Sequence, residues 1–204
     1  MPILSVFATL LKSRFFVIYY RCVTLADGPK PPLCKKSLFG EPLVAISGHI
    51  WYNTPKGRKV FGMIKVLFVC HGNICRSPMG EFIFKDLVKK AGREQEFEIA
   101  SAATSTEALG EPVYPPARRE LQKHGISCDG KRSRQITARD VEYYDHIFYM
   151  DGRNERNLKR MLPKWSQKIR PLLDRDVADP WYTGDFEQTW VDICEGCRKI
   201  LEEL

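Results

Sequence analysis

The segment that most constrains this chain is IKVLFVCHGNICRSP, residues 64–78. Residues 64–69 form an apolar run interrupted by one lysine, the composition of a strand buried on both faces of a parallel sheet. A loop with Gly72 and Asn73 ends the run. MGEFIFKDLVKKAG follows, where Met79, Phe82, Ile83 and Val88 give a partial helical face that Gly92 stops. Pro78 falls near the start of this helix, where a missing N–H is tolerated. Two readings compete for the loop. Cys70 and Cys75 lie close enough for a thiol redox or metal site. Alternatively, Cys70 followed by Arg76 six residues later forms an anion cradle with a nucleophile in it.

The residue types favour the cradle. A turn entering a helix N-terminus aims several backbone N–H groups at one spot. Gly72 permits close backbone approach, and Asn73 tolerates a left-handed conformation. Arg76 offers a planar fork that matches two phosphate oxygens. Cys70 then stands beside the floor of an anion hole, where the N–H groups, Arg76 and the Ser77 hydroxyl favour the thiolate, the nucleophilic form. A zinc site needs two further ligands, and no second cysteine pair stands at zinc spacing to Cys70 and Cys75. Cys194 and Cys197 form a CxxC, but both lie on the apolar face of a helix and read as core. The nucleotide-binding patterns GxxxxGK[ST] and GxGxxG are absent.

Further along, FEIASA (97–102) reads as a second strand, and PPARRELQKH (115–124) as a helix opened by prolines. A short capped helix is expected at 137–140. HIFYM (146–150) reads as a third strand, residues 151–161 as a polar helix, and KIRPLL (168–173) as a fourth strand weakened by Pro171. After the loop VADPWYTGD comes a last helix. There Phe186, Trp190, Ile193, Cys194, Cys197, Ile200, Leu201 and Leu204 follow the spacing of a buried face. Strands alternating with helices predict an α/β fold, a parallel sheet with helices on both faces. Ligands of such folds bind beyond the carboxyl ends of the strands, where the Cys70 loop emerges. A nucleophile that attacks phosphorus needs a partner to protonate the leaving oxygen. Asp179, in a loop after the last strand and just before Trp181 and Tyr182, is the candidate; it must carry a proton when it acts.

Charge divides the chain. Of 32 basic and 25 acidic residues, nine and two fall in residues 1–62, leaving 23 of each in 63–204. The basic pI therefore belongs to the N-terminal segment, and the neutral body gives no support for nucleic-acid binding. The apolar stretches 3–11 and 15–20 are too short for a membrane span. Residues 1–62 show no sustained period. They are expected to be a dispensable, poorly structured extension or an over-long translation start, with Met63 opening the 63–204 domain. Seven cysteines, an odd number without disulfide spacing, point to free thiols in a reducing cytoplasm.

Cys70 to Pro78 (CHGNICRSP) resembles the phosphate-binding signature of the low-molecular-weight protein tyrosine phosphatases. Ser101 to Thr104, Gly110 to Pro112, Arg134 to Thr137, Met150 with Asp151, and Asp179 to Tyr182 resemble that family's later blocks in the same order. The resemblance implies a three-layer fold around a four-stranded parallel sheet of flavodoxin-like order 2-1-3-4, with no metal and no cofactor. It implies Cys70 as nucleophile through a phosphocysteine, Arg76 as phosphate clamp, and Asp179 as general acid and then base. His71, Gly72, Asn73, Ile74, Cys75 and Ser77 would complete the phosphate-binding loop. Asn73 and Ser77 would brace it, and Cys75 would capture an oxidised Cys70 in a reversible disulfide.

This chain departs from the family where an aromatic is common: it has Glu107 and Ala108. Glu107, Trp181 and Tyr182 are thus the expected substrate rim, with Glu107 repelling acidic substrates. Lys131 stands where a histidine is often found. Ile74 and the aromatic pair favour phosphotyrosine proteins and small aryl phosphates over phosphoarginine. A thiol-dependent arsenate reductase, for which Cys128 is the one further thiol at hand, and a non-catalytic phospho-binding module are the readings of other classes. The expected assembly is a monomer or weak dimer.

Overall fold

The computed structural model describes residues 62–162 and 167–204 throughout, and the strand backbone at Pro42–Ile46 (β1), His49–Asn53 (β2) and Lys59–Val60 (β3). These three strands form a small antiparallel sheet in the order β1-β2-β3. The sequence reading had no strand there. The two-residue link between Ile46 and His49, Ser47-Gly48, is a hairpin signal. The rest of residues 1–61 lies outside the described residues, so most of the expected extension does too.

The central sheet contains β4 (Ile64–Cys70), β5 (Phe97–Ala103), β6 (His146–Tyr149) and β7 (Ile169–Pro171). All neighbours pair in parallel, in the spatial order β5-β4-β6-β7. This is the expected 2-1-3-4 order of a flavodoxin-like α/β fold. β7 is an edge strand that ends on Pro171, a residue without a ladder donor.

The two-residue period of β4 divides its side chains between two cores. Val66, Phe68 and Cys70 face α1 (Arg76–Lys90), α2 (Pro115–Lys123) and α6 (Phe186–Glu203). Leu67 and Val69 join Ile147, Tyr149, Leu158 and Leu162 on the other face, against α4 (Gly152–Met161). On the first face, Phe68, Phe84 and Phe97 meet edge to face, with ring centroids 5.9 and 5.4 Å apart. Gly80 lets α1 settle onto β4, since a Cβ there would stand 2.9 Å from Phe68. Ile193, Cys194, Cys197 and Ile200 of α6 are buried, as their spacing predicts.

Three local differences from the sequence reading have physical reasons. α1 begins at Arg76, ahead of the expected start near Pro78; Pro78 is tolerated in the first turn because no intrahelical acceptor exists for an N–H there. The short helix expected at 137–140 runs from Ala138 to Tyr143 (α3). Thr137 and Asp140 cap it reciprocally. A one-turn helix, α5 (Pro180–Thr183), occupies part of the expected loop. Its start is set by the Asp179 side chain accepting the Trp181 N–H and by Pro180 at the first helical position, and Gly184 ends it in the left-handed region. No described helix is long and apolar enough to cross a membrane.

Candidate active site

β4 ends on Cys70 and α1 begins on Arg76, so residues 71–75 form the turn between them at the carboxyl edge of the central strand. Asn73 takes φ +55°, the one left-handed non-glycine residue among the described ones. Gly72 is not left-handed. A Cβ there would make ordinary contacts of 3.6 and 3.7 Å with Ile74 and Ala108. The reversal thus falls on Asn73, and protein packing alone does not demand a glycine at 72.

The turn is strapped from outside through its carbonyls. Cys70 O accepts from Thr104 N at 2.8 Å, His71 O from Ser105 N at 3.0 Å, and Ile74 O from Tyr114 N at 2.8 Å. Gly72 O accepts from the Ser133 hydroxyl at 2.8 Å. With the carbonyls so engaged, the backbone N–H groups from Gly72 to Ser77 have no protein acceptor among the described residues. Six consecutive unpaired amides at a helix N-terminus form an anion cradle.

Cys70, 3% exposed, lies in this cradle. Its Sγ is 3.0 Å from Ser77 Oγ. Asn73 Nδ2 donates to Ser77 Oγ and to Ser101 Oγ, both at 2.8 Å. The Ser101 hydroxyl in turn donates to Glu81 Oε2 at 2.6 Å. Glu81 is ion-paired to Lys131 at 2.7 Å and to Lys85 at 2.5 Å. Burial pushes the Glu81 carboxyl up, but the two lysines outweigh it and hold the group below its ordinary value. A buried polar chain therefore runs from the Cys70 sulfur to a buried carboxylate. Lys131 anchors its far end and also donates to Ser101 O at 3.1 Å.

Arg76 is 2% exposed, and three acceptors hold its guanidinium. Nη1 donates to Asp151 Oδ2 at 2.6 Å and to Val177 O at 2.9 Å; Nη2 donates to Asp179 Oδ2 at 2.5 Å. Burial works against its charge, but Cys70, Asp179 and Asp151 prevail and raise its pKa. Burial and the neighbouring Cys70 push the Cys75 thiol strongly up, which leaves it neutral beside a charged centre.

The sequence-predicted cradle and rim residues, apart from Asn73 and Ser77, meet in one pocket of about 280 Å³. Cys70, His71, Gly72, Ile74, Cys75, Arg76 and Asp179 line it, with Glu107, Trp181 and Tyr182. Asn73 and Ser77 lie behind the cradle, fully buried. Trp181 and Tyr182 are 57% and 72% exposed, the behaviour of a rim and not of a core. Trp181 leans on Tyr114, with ring centroids 5.0 Å apart. Glu107 Oε2 lies 3.2 Å from His71 Nε2 and so bridges the rim to the cradle. Sequence reasoning missed Asp151, Glu81, Ser101, Ser133 and Arg153 as site or supporting residues. Asp151 had a readable signal, an acid just past the end of a predicted strand; a buried Glu81 in mid-helix had none.

Fold and pocket together define an α/β protein with a turn of unpaired amides around a cysteine at the carboxyl edge of its central strand. The family model described as low molecular weight phosphotyrosine protein phosphatase matches residues 65–204, and the chain belongs to that family, a family of phosphoric monoester hydrolases. It is similar to the low molecular weight protein-tyrosine-phosphatase YfkJ of Bacillus subtilis. That relative is 41% identical over 150 residues, which cover 70% of this chain and 96% of the relative. The crystal structure of YfkJ superposes with a TM-score of 0.68, covering 70% of this chain and 94% of that one. The low molecular weight protein tyrosine phosphatase of Streptococcus pyogenes gives 0.65 at 42% identity, covering 70% and 93%.

Proposed function

We propose that the chain dephosphorylates phosphotyrosine in proteins, and small aryl phosphates, through a phosphocysteine intermediate. The observation that carries this reading is the convergence of Cys70, Arg76 and Asp179 on a pocket lined by a turn whose amides are unpaired. The phosphate dianion seats on those amides and the Arg76 fork. Cys70 Sγ attacks phosphorus, the P–O bond to the aryl group breaks, and Asp179 gives its proton to the leaving phenolate. Asp179, now a base, takes a proton from the attacking water. The S–P bond breaks, and inorganic phosphate leaves the Cys70 thiolate behind. Ile74 and Trp181 offer apolar walls to a phenyl ring, which favours phosphotyrosine over the cationic guanidinium of phosphoarginine.

Further parts of the proposal rest on the same site. Cys75 guards Cys70 by disulfide capture, supported by its neutral thiol one residue before Arg76. The catalytic domain spans 63–204, supported by a family match that begins at residue 65, with residues 1–62 dispensable for turnover. A cytoplasmic, monomeric or weakly dimeric enzyme fits the five free cysteines among the described residues.

The test compares p-nitrophenyl phosphate, a phosphotyrosine peptide and a phosphoarginine peptide on the wild type and on Cys70→Ser. Metal-independent turnover of the first two, abolished in the variant, is expected. Turnover that persists in Cys70→Ser removes the mechanism, and preference for phosphoarginine removes the substrate reading.

A further inference from the structure

The mouth of the pocket carries unlike charges on its two sides. Cys70 ends β4, which lies between β5 and β6. Glu107 comes from the segment after β5, and Arg153 from α4, which follows β6; both line the pocket. Sheet order thus sets an acid on one side of the nucleophile and a base on the other.

The basic side continues away from the mouth. Arg153, Arg156 and Arg160 are spaced three and four apart on α4, all exposed, while Asn154 and Leu158 point into the protein. Arg153 donates to Tyr182 Oη at 3.3 Å and lies over that ring at 5.7 Å. Arg160 is held by neutral oxygens of Asn157 and Arg156. The Arg156 guanidinium makes no hydrogen bond, and none of the three has a carboxylate partner among the described residues. Glu155, the acid of this helix, is already paired with Lys159 at 2.6 Å. A hollow of about 270 Å³ lined by Arg153, Arg156 and Tyr182 adjoins the catalytic pocket, sharing Arg153 and Tyr182 with it. The carboxylates in that hollow are engaged elsewhere: Asp151 and Asp179 with Arg76, and Asp176 with the Gly152 N–H at 3.1 Å.

Three arginines without carboxylate partners, in line with a catalytic mouth and on a domain with no net charge, form a surface for an acidic chain. We propose that the Arg153–Arg156–Arg160 ridge docks acidic residues flanking the phosphotyrosine of a protein substrate, while Glu107 disfavours acids on the other flank. The proposal rests on the phosphotyrosine reading above. Guanidinium groups suit carboxylates in planar pairs, and an acidic segment steers toward such a ridge before the phosphate is seated.

The experiment uses phosphotyrosine peptides with acidic residues on the N-terminal side only, on the C-terminal side only, or alanine on both. One acidic arrangement is expected to raise kcat/KM about three- to tenfold over the alanine peptide, the other not, as two exposed ion pairs allow. The gain shrinks as added salt shortens the screening length below about 8 Å. R156A/R160A loses the gain and keeps p-nitrophenyl phosphate turnover, and R156E/R160E turns the preference toward lysine-flanked peptides. Equal rates for all three peptides, or a gain that survives R156A/R160A, overturns the ridge. Turnover of p-nitrophenyl phosphate with no turnover of any peptide overturns the protein-phosphotyrosine reading instead.

Discussion

Arg76 Nη2 donates to Asp179 Oδ2 at 2.5 Å, joining the residue that opens α1 to one 103 positions later. The other arm of the same guanidinium is held by Asp151 at 2.6 Å. The two carboxylates have different second tasks. Asp151 caps α4 by accepting the Asn154 N–H at 2.7 Å, and Asp179 caps the one-turn α5. Charge and capping are separable by an amide, because asparagine caps about as well as aspartate.

Asp151→Asn should therefore keep α4 intact and loosen Arg76. We expect the KM for p-nitrophenyl phosphate and the inhibition constant of inorganic phosphate to rise together, about tenfold, the scale of a lost charged hydrogen bond. The melting temperature should stay close to that of the wild type. An unchanged phosphate affinity shows that Asp179 and the Val177 carbonyl suffice to hold the guanidinium.

Asp179→Asn keeps the α5 cap and removes the transferable proton. Turnover should fall roughly 100-fold or more for phenyl phosphate and far less for p-nitrophenyl phosphate, whose leaving group needs little protonation. The readout is the dependence of kcat on leaving-group acidity across a series of aryl phosphates. Equal losses across that series contradict the acid role.

Ser77→Ala removes the hydroxyl 3.0 Å from the Cys70 sulfur and leaves Asn73 with one acceptor instead of two. A fall in kcat of about ten- to a hundredfold is expected, with a smaller change in KM, because the hydroxyl touches the sulfur and not the substrate. Wild-type kcat in this variant refutes the polar chain as a support of the nucleophile.

The buried pair Glu81–Lys131 makes a stability prediction with a definite sign. The Glu81 carboxyl is held below its ordinary value, so the stability it contributes is complete above the unfolded-chain pKa near 4.5 and is lost as pH falls through the lowered folded value. Glu81→Gln should flatten the acid limb of a stability–pH curve measured by urea unfolding. Lys131→Met leaves the buried carboxylate with Lys85 as its one cation and should cost about 1–3 kcal/mol at neutral pH. Glu81→Met combined with Lys131→Met should recover most of that loss without restoring activity, since Ser101 keeps no acceptor.

Peroxide should inactivate the wild type reversibly. Oxidation of the Cys70 thiolate yields a sulfenic acid, the Cys75 thiol attacks that sulfur, an S–S bond forms and water leaves. A dithiol reductant restores activity. Cys75→Ser should inactivate irreversibly under repeated exposure; full recovery in that variant refutes the guarding role.

Much of this was legible in the amino-acid order because the decisive signals are local. The run 64–69 next to a Gly-Asn turn and a helix announced β4, the cradle and α1, and with them Cys70, Arg76 and Ser77. Asp179 was found from its place after the last strand. Residues that act across the sheet were harder. Ser101, Ser133 and Glu81 reach the cradle only after β5, the 131–135 segment and α1 have come together, and none has a local pattern that marks it. Arg153, Arg156 and Arg160 follow a readable helical spacing, but their position at the mouth depends on β6 pairing with β4. The strands within residues 42–60 are five, five and two residues long, too short to leave a sustained period in the sequence.

The cradle's carbonyls are held by Thr104, Ser105, Tyr114 and Ser133, and Arg76 by residues 151, 177 and 179. A polypeptide emerging from the ribosome presents Cys70 and Arg76 first, and these fasteners arrive one after another, the last 103 positions after Arg76. Competence to cleave a phosphate ester is thereby withheld from the nascent chain. A product truncated before residue 179 carries the signature motif but lacks the final fastener of Arg76, and under the proposed mechanism its acid as well.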